Sequence, residues 1–196
     1  LPVADSLGVL LTELVATVLL GPVYASTLAA ALARPDLPRA VSRLGVEGES
    51  LALSALPPPV LRVGVVAAAL GHLGFAVERD AVLAAWKQAH RRLRSMSYPS
   101  ELQGWVEVPL TAWDGLLDRL ALAGLTVPFS ALGGRSLDQL TDLTWSSERQ
   151  SAATLASTLL LHQRPASAEP RVVLAGALLA QGAEPDRAAA LLRPFL

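Results

Sequence analysis

A single carboxylate lies within the most apolar segment of the chain. Residues 7–32 carry one charged side chain, Glu13, and the run is interrupted once, at Gly21-Pro22. Moving an ionised carboxylate out of water is costly unless a cation or hydrogen-bond donors compensate the charge. The surroundings of Glu13 therefore decide which chemistry this segment supports.

Two surroundings fit the residues next to Glu13. In the first alternative, the carboxylate lies near a helix end or at the surface, where water or the hydroxyls of Thr12 and Thr17 reach it. Alternatively it points inward and meets a cation, either an arginine or a metal ion. A buried carboxylate with no partner would be protonated, since desolvation disfavours the charged form. The sequence leaves these alternatives open.

The elements that position Glu13 are predicted to be helical. A first helix runs from about Ala4 to Leu20, and Pro22 fits the first turn of a second helix that extends to Ala33. The pattern permits either one kinked rod or two separate helices. A membrane span of this length would have to hold Glu13 and the Gly21-Pro22 break, so we expect a buried helix and no membrane contact.

The rest of the chain also favours helices, punctuated by proline, glycine and capping residues. No segment shows convincing strand alternation, and residues 97–110 form the longest stretch predicted to be irregular. The further predicted helices are a short one ending at Leu44, Val60 to Leu73, Asp80 to Ser95, Thr111 to Gly124, two beginning at the capping boxes Ser136/Gln139 and Ser147/Gln150, and two beginning at Glu169-Pro170 and Glu184-Pro185.

These elements predict an all-α fold, an irregular bundle of about eight helices. We expect one domain over 1–196, with a weak seam at 97–110. The 196 residues are 52% hydrophobic, and the net charge is -1, which gives no bulk attraction to nucleic acid or to an anionic membrane. The mean hydropathy of +0.43 favours a homo-oligomer or a protein partner that covers apolar faces.

Few residues are available for metal or thiol chemistry. The chain has no cysteine, and its three histidines, His72, His90 and His162, are widely separated. Each histidine is predicted to lie near a helix C-terminus, where positive charge is favoured. We therefore predict no shared metal site and no cofactor, and we expect a cytoplasmic protein.

A basic cluster follows the predicted helix that begins at Asp80. One interpretation is a solvated helix end whose cations complement the helix dipole. The other is a patch for small anions or nucleic acid, with Tyr98 and Trp105 available for stacking. The cluster consists of Lys87, His90, Arg91, Arg92 and Arg94.

Three segments resemble one protein family. An E-L-x-A-D helix followed by a G-P-A-Y turn resembles residues 13–17 (ELVAT) and 20–24 (LGPVY). The pattern H-P-P-P-x-x-R resembles residues 56–62 (LPPPVLR). A P-R-H-x-x-A-x-A helix resembles residues 169–177 (EPRVVLAGA). These patterns resemble those of predicted bacterial zinc metallopeptidase-like proteins of the gluzincin type. In that family the glutamate is the third zinc ligand.

The sequence differs from the family pattern at several positions, and these differences concern the zinc ligands. The sequence has no H-E-x-x-H motif, Thr17 stands in place of the aspartate, and Ala55 and Val172 stand at or near the histidine positions. One glutamate does not hold a catalytic zinc. We therefore expect a non-catalytic helical interaction or scaffold module, and the resemblance implies a degenerate relative of these peptidases.

Two alternatives remain. The chain begins with Leu1 instead of Met, so we expect it to be processed or to belong to a longer protein. In the first alternative it is the helical part of a zinc metallopeptidase whose H-E-x-x-H lies upstream, with zinc as cofactor and Glu13 as a ligand. In the second it is a nucleic-acid-associated protein that uses the basic cluster at residues 87–94.

Overall fold

The computed structural model describes residues 2–33, 57–91, 94–100, 104–140, 145–161, 163 and 170–183. This part of the chain contains seven α-helices and one short β-hairpin, so the predicted all-α class is confirmed. The helices are α1 (Pro2–Leu20), α2 (Pro22–Leu32), α3 (Pro59–His72), α4 (Ala76–Ala89), α5 (Thr111–Thr126), α6 (Trp145–Leu160) and α7 (Pro170–Ala183); the strands are β1 (Ser95–Ser100) and β2 (Gly104–Pro109).

The break between α1 and α2 lies at Gly21. This residue has φ 62° and ψ -144°, a conformation in which a Cβ atom is strongly disfavoured. In a straight helix Glu13 and Tyr24 would be about 16 Å apart along the axis, but their side chains are hydrogen-bonded. The chain therefore bends at Gly21, and the two predicted helical segments are separate helices.

The main core lies among the first five helices. The inner face of α1 packs against α3 and α5, and α2 packs against α3 and α4. Branched aliphatic residues at helical spacing thus form the core that surrounds Glu13. The largest fully buried apolar side chains come from these helices: Leu10, Leu14, Val18, Leu61, Val63, Val65, Val66, Leu70 and Leu125.

Helices α6 and α7 form a pair with an apolar cluster of their own. Leu155 and Leu159 of α6 pack against Ala177 and Ala180 of α7. Gly176 allows a close approach, since a Cβ atom there would overlap Leu155. Helix α7 also contacts α2, which connects the pair to the larger core.

The hairpin corrects the prediction of an irregular stretch at 97–110. Strands β1 and β2 are antiparallel, with Met96 opposite Val108 and Tyr98 opposite Val106. Aromatic and β-branched residues favour this pairing. The sequence did not predict β1 because it contains Pro99, and proline is rare inside strands. Proline is tolerated in an edge strand, and both strands of a two-stranded hairpin are edge strands. The hairpin occupies the segment of the predicted weak seam, and a bond from the Leu110 N–H to the Arg94 carbonyl joins its base.

Two helices begin at residues other than the predicted ones. Helix α4 begins at Ala76 and ends at Ala89, so Asp80 lies within it and is not its cap. Ser147 lies inside α6, which begins at Trp145 and therefore does not start at the predicted capping box.

One of the two bonds of the capping box predicted at Ser136 is present, and the element that follows it is shorter than the predicted helix. Ser136 precedes a 3₁₀ turn, Leu137–Leu140, and its N–H donates to Gln139 Oε1 over 3.2 Å, as in a capping box. The predicted helices at Leu44 and at Glu184-Pro185 lie outside the described residues.

Within the described ranges, none of the helices combines the length and the apolar character that a membrane span requires.

Replacing Gly21 tests the bend between α1 and α2. We expect Gly21→Ala to lower the free energy of unfolding by about 1–3 kcal/mol, because alanine disfavours this backbone conformation. The nearest side-chain atom, Cζ of Phe75, would lie 3.8 Å from the new Cβ, so the loss would come from the backbone and not from a clash.

Gly8→Ala is the matched control for Gly21→Ala. Gly8 lies in α1, and no atom of a neighbouring element lies within 4 Å of the point that an alanine Cβ would occupy. Alanine there should therefore raise stability by about 0.5–1 kcal/mol. Chemical denaturation followed by circular dichroism measures both changes. Equal effects of the two substitutions would contradict the special role of Gly21.

Candidate functional site

Glu13 lies on the buried face of α1. Its exposed fraction is 2%, and Leu10 and Leu14 beside it are equally enclosed. Thr17, one turn further along α1, is fully buried and donates its hydroxyl to the Glu13 backbone carbonyl over 2.7 Å. The surface position considered for Glu13 is therefore wrong, and the inward position is the one observed.

The cation that meets Glu13 is Arg62. Its Nε and Nη2 atoms both lie 2.5 Å from Glu13 Oε1, a charge-assisted contact from two donors of one guanidinium. Pro58 and Pro59 begin α3 and place Arg62 in its first turn, where the Arg62 N–H bonds to the Pro58 carbonyl over 3.3 Å. The Arg62 side chain keeps 19% of its surface exposed, so the pair lies at the margin of the core.

Tyr24 of α2 completes the group by donating its hydroxyl to Glu13 Oε2. The pKa of the Tyr24 phenol is raised to about 12, first by burial and then by the adjacent Glu13 carboxylate, since a phenolate there would face a negative charge. Arg62 acts in the opposite direction on this pKa, but less strongly. Tyr24 is therefore a hydrogen-bond donor throughout the neutral range.

The Glu13 carboxylate thus connects α1 to both α2 and α3. Both oxygens of Glu13 accept intramolecular hydrogen bonds, Oε1 from Arg62 on α3 and Oε2 from Tyr24 on α2. We call these three residues the Glu13 cluster. A carboxylate that accepts these bonds is held in place by side chains from two other helices.

The donor set of the described residues does not fit a catalytic zinc ion. Zinc in such sites takes three protein ligands, and the family pattern supplies two of them from histidines. In the described residues there is no group of three or more histidine, cysteine, aspartate or glutamate side chains close enough to share a metal. A metal at Glu13 would have to share the carboxylate with Arg62 and Tyr24.

The histidines are engaged in separate contacts. His72 is the last residue of α3, and its Nε2 lies 3.1 Å from Asp118 Oδ1 on α5. His90 follows α4 and its ring lies against Trp86, with ring centroids 4.0 Å apart. His162 lies outside the described residues.

The basic cluster is exposed where it is described. Lys87 lies in the last turn of α4, as the helix-dipole interpretation requires, whereas Arg91 and Arg94 lie beyond the helix end. Arg92 lies outside the described residues, and the side chains of Tyr98 and Trp105 are likewise not described. The structure thus shows three exposed cations at the end of α4 or shortly after it.

Sequence reasoning selected Glu13 but did not select its partners. Arg62 and Tyr24 are 49 and 11 residues away from Glu13 along the chain. Both lie in segments that carry the family resemblance, residues 56–62 and 20–24.

Comparisons with protein-family models, with curated proteins and with solved structures found no match to this chain. Function is therefore inferred from the geometry of the Glu13 cluster and from the protein surface.

Removing one member of the Glu13 cluster should destabilise the fold. We expect Arg62→Met to lower the free energy of unfolding by about 3 kcal/mol, since it leaves a buried carboxylate without its cation. Tyr24→Phe should cost about 2 kcal/mol, the range for a hydrogen bond to a charged group. The double variant Glu13→Leu/Arg62→Met should cost less than the sum of its single changes, because no charge is left unpaired.

The matched control for Arg62 is Arg79. It pairs with Asp80 at 2.9 Å, but both side chains are exposed, so Arg79→Met should change stability by less than about 1 kcal/mol. Urea denaturation of all these variants measures the differences. If Arg62→Met were as mild as Arg79→Met, the Glu13 cluster would not support the fold.

Tyr24 should titrate far above an ordinary tyrosine. The chain has two tyrosines, so Tyr98→Phe leaves Tyr24 as the only phenol, and its ionisation can be followed by its absorbance in the near ultraviolet. We expect a midpoint near pH 12 in the folded protein. Because the pKa of Tyr24 is higher in the folded state than its ordinary value of 10, its contribution to stability is complete below pH 10 and is lost as the pH rises towards 12.

The variant Tyr24→Phe isolates Tyr98 and serves as the reference titration. A midpoint near the ordinary pKa of 10 for Tyr24, in a protein that circular dichroism shows to be folded, would exclude its burial against Glu13.

Proposed function

We propose that this chain is a non-catalytic helical interaction or scaffold module of the cytoplasm, in which Glu13 has a structural role. The observation that carries the proposal is the occupation of both carboxylate oxygens by Arg62 and Tyr24. An enzyme that used this glutamate would need one oxygen directed towards substrate, water or metal. On this proposal the chain descends from a gluzincin-type peptidase and has lost the histidines.

The surface supports a role in protein association. Large apolar side chains remain exposed on several helices, and association with another protein would remove them from water. A partner chain or a second copy that covers part of this surface agrees with the high apolar content. The side chains exposed by 44% or more are Leu7, Leu19, Val77, Leu122, Val127, Leu161, Leu174 and Leu179.

Metal content of the encoded full-length protein tests the structural role of Glu13. We expect no stoichiometric zinc by plasma mass spectrometry after purification without chelators, and no change in zinc content in Glu13→Ala. Asp118→Ala, which removes an exposed carboxylate, is the control for non-specific loss of metal. Stoichiometric zinc that disappears in Glu13→Ala but persists in Asp118→Ala would overturn the proposal.

A second candidate is the helical part of a zinc metallopeptidase with its H-E-x-x-H upstream. It is supported by the meeting of Glu13, Tyr24 and Arg62, which come from two of the resembling segments and converge at the glutamate that the family uses as a ligand. Arg62 and Tyr24 would then orient Glu13 from outside the metal. The same zinc measurement distinguishes the two candidates, since only this one expects zinc that depends on Glu13.

A further inference from the structure

Each strand of the hairpin has one edge along which no other strand lies. Across the residues that the structure describes, the sheet consists of β1 and β2 alone. The backbone groups along such an edge form a template on which another chain can add a strand. Strand β2 contains Trp105, Val106 and Val108, residues that favour β structure and therefore strand pairing. A hairpin of this composition associates with other chains unless its edges are protected.

The register of the hairpin decides which residues direct their backbone groups towards these edges. The bond from the Leu110 N–H to the Arg94 carbonyl makes these two residues a hydrogen-bonded pair. Hydrogen-bonded and non-hydrogen-bonded pairs alternate along an antiparallel ladder. The non-hydrogen-bonded pairs therefore have their N–H and C=O groups directed outwards, at positions 95, 97 and 99 of β1 and at positions 105, 107 and 109 of β2.

A proline occupies one outward position on each edge. These residues are Pro99 on β1 and Pro109 on β2. Proline has no N–H, because its ring closes on the backbone nitrogen. At an outward position it leaves the bonds between β1 and β2 intact and removes a donor only from the edge. The two prolines therefore weaken pairing with another chain without weakening the hairpin itself.

Two copies joined along β1 would meet this defect twice. Antiparallel pairing about a two-fold axis at Ser97 would require Pro99 of each copy to donate an N–H to the other copy. Neither proline has this N–H, and the ring of each would separate the two strands. The acceptors opposite the two prolines would lose water without gaining a donor, which opposes association.

The edge of β2 has a second obstacle to pairing. A two-fold axis at Glu107 would require the same missing donation from Pro109 of each copy, and it would place Glu107 of one copy directly opposite Glu107 of the other. Like charges that face each other across two strands destabilise the pairing. The edge of β2 is thus opposed by a proline and by a charge, and the edge of β1 by a proline alone.

We infer that Pro99 and Pro109 block strand addition at both edges of the hairpin, to a second copy of the chain or to an extended peptide. The inference rests on the register and on the missing backbone donors, and it is independent of the role proposed for Glu13. It goes beyond the proposed interaction module because it removes the hairpin edges from the surfaces through which the chain associates.

Substitution of the prolines tests the inference. Threonine at position 99 restores the outward N–H and favours a strand. We expect Pro99→Thr to reach about twice the mass of the unmodified protein at the same concentration, since pairing about a two-fold axis joins two copies. Pro109→Thr should do the same only in combination with Glu107→Thr, because the two facing carboxylates otherwise remain. Light scattering after gel filtration measures these masses.

Ser97, the neighbouring outward residue of β1, provides the matched controls. Ser97→Thr raises the strand propensity without adding a donor, so the mass should not change. Ser97→Pro added to Pro99→Thr removes an outward donor again and should restore the mass of the unmodified protein. Circular dichroism checks that each variant is folded. An unchanged mass for folded Pro99→Thr, or an equal increase for Ser97→Thr, would overturn the inference.

Amide hydrogen exchange tests the edges in the unmodified protein, where no substitution affects folding. We expect the outward N–H groups of Ser97 and Glu107 to exchange at least about tenfold faster than the inward ones of Met96 and Val108, since only the inward groups require the hairpin to open. Nuclear magnetic resonance resolves the individual amides. Equal protection would show that another segment already pairs with the edges, which overturns the inference and leaves the zinc result unaffected.

Discussion

The fold of the amino-terminal half depends on compensating one buried carboxylate. Glu13 lies in the middle of an apolar helix, and its charge is held by Arg62 and by the hydroxyl of Tyr24. An ionised carboxylate that is removed from water requires a cation or hydrogen-bond donors to compensate the cost of desolvation. The bend at Gly21 brings Tyr24 back towards α1, and the proline-initiated start of α3 presents Arg62 from the other side. Three helices are therefore positioned by one polar group inside an otherwise aliphatic core.

Close helix packing around this group depends on residues without side chains. Cβ atoms at Gly64 and Gly124 would overlap Leu117 and Leu14, respectively, so these glycines admit a leucine from the facing helix. Gly176 does the same for Leu155 in the pair formed by α6 and α7. A closely packed protein interior contains few voids, so a change in the volume of one side chain displaces its neighbours. The Glu13 cluster is consequently held by packing as well as by charge.

The same geometry bears on function. Both oxygens of Glu13 accept hydrogen bonds from within the chain, and the proposed structural role of this residue rests on that observation.

Much of this protein follows from its sequence. Helical periodicity and proline placement determined the all-α class and the approximate bounds of α1, α2 and α3, because these signals are local along the chain. The hairpin was not predicted, since its strands are short and contain Pro99. The sequence also identified Glu13 as the decisive residue, because a lone charge in an apolar run requires compensation. Only the tertiary structure decided which group compensates that charge. Arg62 is 49 residues away along the chain, and contacts at such a separation depend on how the helices pack and not on a local pattern.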